Sequence, residues 1–253
     1  MKKSLFIFIA VVMIQTILFS QKNEYQYIAL RFGASHGFTP APGWHINKFA
    51  NTEFGDLHLS PDGSAYVPGF VFDFYYHFDF TTDNAGIYVG LEYNYSGLGA
   101  KYVADRNTTF TLKEIDRFHA IGVPIAFKYG PDIWKTQRYF FAGAQLNYII
   151  AMNQVSSPSW NSTPSSVKIT PDEYNKTAFN LFLGFNYAAF NLQFDYYPKS
   201  IFNKKYLDED RFYPYNTMPD QVFLLKTSVN IPYRWLSEKS FWWRKKLRKT
   251  FWR

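Results

Sequence analysis

The 253-residue chain contains no cysteine. Disulfides, thiolate metal sites and a lipid anchor on an amino-terminal cysteine are therefore excluded. Long apolar runs are scarce as well, because no segment after the first 20 residues approaches the roughly 20 apolar residues of a transmembrane helix. If the mature chain spans a membrane, it must do so as a closed barrel, the other structure that satisfies every backbone group in lipid.

The single apolar run, at the amino terminus, predicts a secretory signal peptide over residues 1–20. Lys2 and Lys3 precede an apolar core, and a small residue stands before the expected cleavage at Gln21. The alternative is an uncleaved anchor helix, but polar residues interrupt the run and it is short for a bilayer span. The remaining chain divides into a barrel over 21–235 and a tail over 236–253.

The formal charge of +7 is a local property of the carboxyl terminus. Residues 234–253 contain eight Lys or Arg and one Glu, and two further lysines belong to the signal peptide. About −2 is left for residues 21–233. The basic character therefore gives no indication that the folded domain binds nucleic acid.

The stretch FVFDFYYHFDF carries an aromatic ring at every even position from Phe70 to Phe80. Acids and an imidazole occupy odd positions, and a period of two indicates a β-strand with one apolar and one polar face. Aromatic residues make up 21% of the chain, which suits strands and membrane interfaces. The same period predicts eight strands, at about 25–35, 66–80, 86–103, 116–130, 138–151, 177–188, 190–201 and 220–234.

The connections between these strands alternate in length, beginning with a long one. Residues 36–65, 152–176 and 202–219 are long links, whereas 81–85 and the turn near Ala189 are short. Outer-membrane barrels show this asymmetry, with long external loops and short periplasmic turns. The sequence therefore predicts an eight-stranded antiparallel up-and-down transmembrane β-barrel.

The two strand faces predict which side meets lipid. The apolar face is almost free of charge and has tyrosines near its strand ends, as expected of a membrane girdle. The opposite face carries three cations, three anions and an imidazole, which a narrow lumen would have to balance. An eight-stranded interior is just filled by side chains, so no open pore is expected. The predicted polar network of the lumen comprises Arg31, Asp73, His77, Glu92, Lys128, Asp195 and Lys226.

The segment RFHAIGVPIAFKYG resembles PorT-like outer-membrane β-barrels of the Bacteroidota. The likeness is carried by Ile121, Val123, Pro124, Ile125, Lys128 and Tyr129, and in the next strand by Tyr139, Gly143 and Tyr148. The segment FNLFLGFNYAAFNLQFDYY is similar to the family's late hairpin. The resemblance implies an eight-stranded outer-membrane barrel, and one branch of the family assists type IX protein export linked to gliding. The chain departs from the usual ending on an aromatic residue of the last strand, because about 18 residues follow.

Those last residues predict a short basic helix with an aromatic edge, placed on the periplasmic side. It would lie on the membrane or dock a protein partner, and the alternative is a solvated run of charge. Each cation near an anionic surface would contribute on the order of 1 kcal/mol. The residues concerned are Trp235, Trp242, Trp243, Arg244, Lys245, Lys246, Leu247, Arg248, Lys249, Phe251 and Trp252.

The polar face and the loops show no catalytic or metal-binding signature of a known type. Asp73 and His77 lie four residues apart, about 13 Å along a strand, so they cannot touch. Ser35 beside His36 could serve a lipid-modifying barrel, and loop histidines such as His45 show no known ligand spacing. We expect no enzyme activity and no cofactor. The function expected is that of a structural or interaction component of an envelope assembly, with membrane lipid and proteins as partners. The alternatives are a lipid-modifying or ligand-binding barrel and a soluble secreted barrel with its faces reversed.

Overall fold

A computed structural model describes residues 26–38, 59–64, 66–80, 84–104, 107–131, 133, 137–159, 164–207, 215, 218 and 220–232. The predicted signal peptide and tail, including Trp235, lie outside these residues. Ten strands occur in the described part of the chain: β1 (Gln26–Phe38), β2 (Leu59–Ser64), β3 (Pro68–Asp79), β4 (Ala85–Ala104), β5 (Asn107–Tyr129), β6 (Arg138–Pro158), β7 (Ser165–Ile169), β8 (Thr177–Tyr187), β9 (Phe190–Tyr197) and β10 (Val222–Pro232).

Eight of these strands close into an antiparallel ring, as the sequence predicts. The ring runs β1-β3-β4-β5-β6-β8-β9-β10, and β10 pairs with β1 from Ala29–Pro232 to Phe38–Phe223. Closure removes the unpaired edges that an open sheet would expose to lipid. The described residues include no helix long and apolar enough to cross a membrane.

The two ends of the ring differ. At the turn end, the connections are 80–84, 130–137 and 188–189. At the loop end, the connections are 39–67 and 159–176, which contain β2 and β7, together with 105–106 and 198–221. The predicted alternation of connection lengths is therefore present, except that only two residues separate β4 from β5 at the loop end.

Strands β5 and β6 extend further toward the loop end than the sequence predicts. β5 begins at Asn107 rather than near 116, and β6 ends at Pro158 rather than near 151. The short strands β2 and β7 pair with β4 and β6 there and were not predicted. Polar residues on these segments hid the strand signal, because strands beyond the lipid have no need of an apolar outward face.

Pro124 interrupts one side of β5 without ending the strand. Its neighbour on β6 is Gln145, and that ladder continues through it. The pairing with β4 instead skips from Ile125 to Gly122. Because proline has no N–H to donate, the gap falls on the side where that donor would be needed.

The apolar strand face points outward, which confirms the predicted orientation. Phe72 and Leu183 are 51% and 61% exposed, whereas Asp73 and Asn180 are fully buried. A soluble barrel would require the reverse arrangement, so that alternative is wrong. His119, the polar exception on the apolar face, lies outward and its Nδ1 is 2.7 Å from the Tyr93 hydroxyl.

Candidate functional site

The candidate site is the barrel interior, where the structure buries all seven predicted lumen residues. They come from strands β1, β3, β4, β5, β9 and β10, and each lies on the inward side of its strand. Cross-strand register brings several together, since Asp73 is the neighbour of both Arg31 on β1 and Glu92 on β4. Sequence alternation placed these residues on one face, and the register decides which of them meet.

Arg31 lies at the centre of the first ionic group. Its Nε is 2.5 Å from Asp73 Oδ2, and its Nη2 is 3.5 Å from Glu92 Oε2. Its Nη1 donates hydrogen bonds to the side-chain oxygens of Asn191 and Gln193, at 3.0 and 2.9 Å. A buried guanidinium needs this number of acceptors, because an unpaired charge out of water costs several kcal/mol.

Lys226 shares Glu92 with Arg31 and joins one further carboxylate, Asp195, to the same group. Its Nζ is 2.5 Å from Glu92 Oε1 and 2.6 Å from Asp195 Oδ2. Glu92 therefore bridges Lys226 and Arg31, so that two cations and three carboxylates form one connected cluster. We call Arg31, Asp73, Glu92, Asp195 and Lys226 the central ionic cluster.

Lys128 does not join the central ionic cluster, which corrects the prediction of a single network. Its Nζ forms an ion pair with Asp79, a residue absent from the predicted set, and lies 3.0 Å from His77 Nδ1. Nζ also donates a 3.1 Å hydrogen bond to the Tyr27 hydroxyl. Asp79 lies at an odd-numbered position of β3, as Asp73 and His77 do, so the alternating pattern could have identified it.

The lumen charges are therefore unequal rather than balanced. Among the described residues, three cations face the barrel interior against six carboxylates, because Asp79, Glu114 and Asp116 add to the predicted three. The pairing is nevertheless complete for the cations, each of which contacts at least one carboxylate. The cations of this interior are therefore stabilised by local pairing with buried carboxylates, and the total charge of the interior is not balanced.

Two apolar clusters close the interior on either side of the central ionic cluster. At the turn end, rings and aliphatic groups pack around Tyr139. At the loop end, a larger buried cluster includes Tyr102 and Phe118 from the strands, with Phe202 and Tyr215 from the connection 198–221. The sequence predicted a lumen of amides and glycines, and these inward aromatic residues were missed. The turn-end cluster comprises Tyr75, Tyr88, Ala126, Ile133, Tyr139, Phe141 and Phe182.

The connections at the loop end are bonded to each other into a cap. Tyr174 and Phe202 form a β-bridge, and the Asn175 backbone N–H donates to the Ile201 carbonyl at 2.8 Å. The Tyr215 hydroxyl donates to the buried carboxylate of Glu173. Burial and this hydrogen bond raise the pKa of Tyr215 well above its ordinary value. The described part of the long connections therefore folds over the barrel mouth.

The catalytic groupings considered from the sequence do not assemble. Ser35 is buried and contacts the Ser96 hydroxyl at 2.5 Å, whereas His36 points to the other side of β1, with its ring 4.7 Å from that of Tyr66. His77 lies against Lys128, away from Asp73. No group of three metal-ligating side chains occurs in the part of the chain that the structure describes, and His45 lies outside it.

A closed antiparallel ring with an apolar exterior and a filled, polar-centred interior defines an integral membrane β-barrel. The chain belongs to the outer membrane protein beta-barrel domain family, whose sequence profile matches residues 19–203. It is accordingly an outer-membrane protein, in contact with membrane lipid. No curated protein matches the chain.

The solved structures that are similar to the chain include two bacterial surface proteins. Neisserial surface protein A, NspA, has a TM-score of 0.33 and 11% identity, covering 81% of this chain and 96% of its own. Ail, the attachment invasion locus protein of Yersinia pestis, was crystallised with the heparin analogue sucrose octasulfate. It has a TM-score of 0.35 and 9% identity, covering 81% of this chain and 99% of its own.

Proposed function

We propose that the protein is a closed outer-membrane barrel that acts as a structural and interaction component of an envelope protein assembly, rather than as a solute channel. The filled interior carries this proposal. Ion-paired groups occupy the middle of the barrel, apolar clusters lie on both sides, and the cap lies over the loop end. What remains for partners is the outer surface, the loop end and the tail.

Conductance tests the closed interior. The purified full chain, reconstituted into planar bilayers beside a general porin as positive control, should give no steady channel current. A path for water would require separating Lys226 from both carboxylates that it contacts. Reproducible open-channel steps at low voltage would contradict the closed-barrel proposal.

The tail is proposed as the periplasmic contact site. Eight strands return the chain to the side where it began, and short periplasmic turns place that side in the periplasm. The sequence 236–253 combines aromatic and basic residues, as interfacial segments do.

Affinity purification from native membranes tests the tail. The full chain should retain a protein partner that a chain lacking 237–253 loses, while both keep heat-modifiable gel mobility. A variant with Lys245, Lys246 and Lys249 changed to Gln keeps the aromatic residues and separates charge from ring contacts. Identical partner sets for the full and shortened chains would contradict a docking role for the tail.

The link to type IX export or gliding is a narrower proposal, and it is supported only by the PorT-like resemblance of residues 117–234. A strain lacking the protein should then lose export of type IX cargo or gliding. Normal export and motility in that strain would remove the link, and the closed-barrel proposal would stand unchanged.

A further inference from the structure

Four cations lie on the outward side of the sheet where β4, β5, β6 and β7 extend beyond the lipid-facing belt. We call Lys101, Lys113, Arg117 and Lys168 the basic face. The lysines are exposed and Arg117 is half-buried. Their register places them side by side, because Lys101 is the neighbour of Lys113, and Asn153 lies between Arg117 and Lys168.

Arg117, Asn153 and Lys168 form a row across three adjacent strands. Neighbouring strands are about 4.8 Å apart, so the backbones of Arg117 and Lys168 are separated by about 10 Å. Both side chains are long enough to converge on one oxyanion over Asn153. The stem of Arg117 lies across Gly97, where a Cβ would come within 3.2 Å of Arg117 Cγ.

The acids of this extension point the other way. Glu114 and Asp116 alternate with Lys113 and Arg117 along β5 and are buried on the inward side. On β4, β5, β6 and β7, the outward positions whose side chains the structure describes carry no Asp or Glu. The Nε of Arg117 is buried and has no hydrogen-bond partner in the described structure. Its guanidinium carbon lies 5.9 Å from the centre of the Tyr95 ring. No carboxylate at these described outward positions therefore competes with an external anion for Arg117 or Lys168.

The basic face begins where the aromatic girdle ends. Arg117 stands two residues before His119 on β5. The His119 ring packs 4.6 Å from the Tyr95 ring and contacts the Tyr93 hydroxyl. Such girdles mark the boundary between hydrocarbon and headgroups. The basic face is thus at headgroup level, and it is at the loop end, which faces the outside in barrels of this kind.

We propose that the basic face binds phosphate groups on the headgroups of outer-leaflet lipid. Arg117 and Lys168 hold one phosphate across Asn153, and Lys113 reaches a second anionic group about 13 Å further out along β5. The inference rests on the outer-membrane placement of the barrel. It adds a lipid ligand that the assembly role does not require.

Titration of the detergent-purified full chain with fluorescent, diphosphorylated lipid A tests the proposal. The test variant changes Lys113, Arg117 and Lys168 to Gln, and a matched control changes the exposed Lys176, Lys199 and Lys205 to Gln. Each cation near an anionic headgroup contributes about fivefold, so the test variant should bind about a hundredfold more weakly. The control should lose less than about threefold, because its lysines do not share one strand row. Dephosphorylated lipid A should bind the unaltered chain about as weakly as diphosphorylated lipid A binds the test variant.

Equal weakening in both variants, or equal binding of dephosphorylated lipid, would overturn the proposal. Displacement of lipid A by millimolar inorganic phosphate would also overturn it, since the site would then select free phosphate. If the triple variant loses its folded gel band, the Lys113→Gln and Lys168→Gln double variant serves instead, with about 25-fold weakening expected. A folded, heat-modifiable chain that fails to bind refutes this inference alone, whereas the absence of a folded band in the unaltered chain refutes the barrel.

Discussion

The central ionic cluster predicts that Lys226→Met strongly destabilises the barrel. Lys226 is 1% exposed and lies 2.5 and 2.6 Å from Glu92 and Asp195. Its removal leaves three buried carboxylates with Arg31 as the one cation of the cluster. Breaking a buried pair by removing one partner costs about 3–5 kcal/mol. The ratio of folded to unfolded chain should therefore fall by about two to three and a half orders of magnitude.

The measurement is urea unfolding in lipid vesicles, followed by the loss of the folded band on unboiled gels. Lys205→Met is the matched control, because Lys205 is exposed at the loop end, and a change within about 0.5 kcal/mol is expected there. The double variant Lys226→Met and Asp195→Leu should recover much of the stability, since it removes the acid left without its partner.

Two outcomes would refute this reasoning. If Lys226→Met unfolds at the same urea concentration as the Lys205→Met control, the cluster does not stabilise the barrel. If the double variant is less stable than Lys226→Met alone, the loss comes from packing around the lysine stem rather than from the unpaired carboxylate.

Three further predictions concern the exterior, the lumen and the cap. Leu183→Arg, midway along the exposed side of β8, should lower the free energy of unfolding in vesicles by about 2–4 kcal/mol. Tyr187→Arg, near the strand end, should lower it by about 0–1 kcal/mol. Equal losses would contradict the placement of Leu183 deeper in the lipid than Tyr187. Gly122→Val should destabilise the barrel by about 1–3 kcal/mol, because a Cβ there would overlap the side-chain nitrogen of Gln145. An unchanged unfolding midpoint would show that the lumen has room for the larger side chain. Tyr215→Phe leaves the Glu173 carboxylate without one donor and should cost about 1–3 kcal/mol of local stability. Faster proteolysis of the loop-end connections would report that loss, with global unfolding unchanged, and an unchanged cleavage rate would show that this bond does not hold the cap.

The period of two determined most of the fold from sequence. Alternation in stretches such as 70–80 is a local property, since successive side chains leave opposite faces of any strand. It therefore identified the eight ring strands, the outward aromatic face and the seven buried polar residues without knowledge of the partners. The absence of a long apolar run after residue 20 left a barrel as the one way to span a membrane.

Only the tertiary structure decided which polar groups meet. Strand stagger within the ring pairs Lys128 with Asp79 and directs Lys226 to Glu92 and Asp195, and composition cannot supply that stagger. The extension of β5 to Asn107 was also beyond sequence reasoning, because outside the lipid no apolar outward face is needed to mark a strand. The distances between side chains on different strands depend on contacts between residues far apart in sequence. They are fixed only when the first and last strands pair and close the ring.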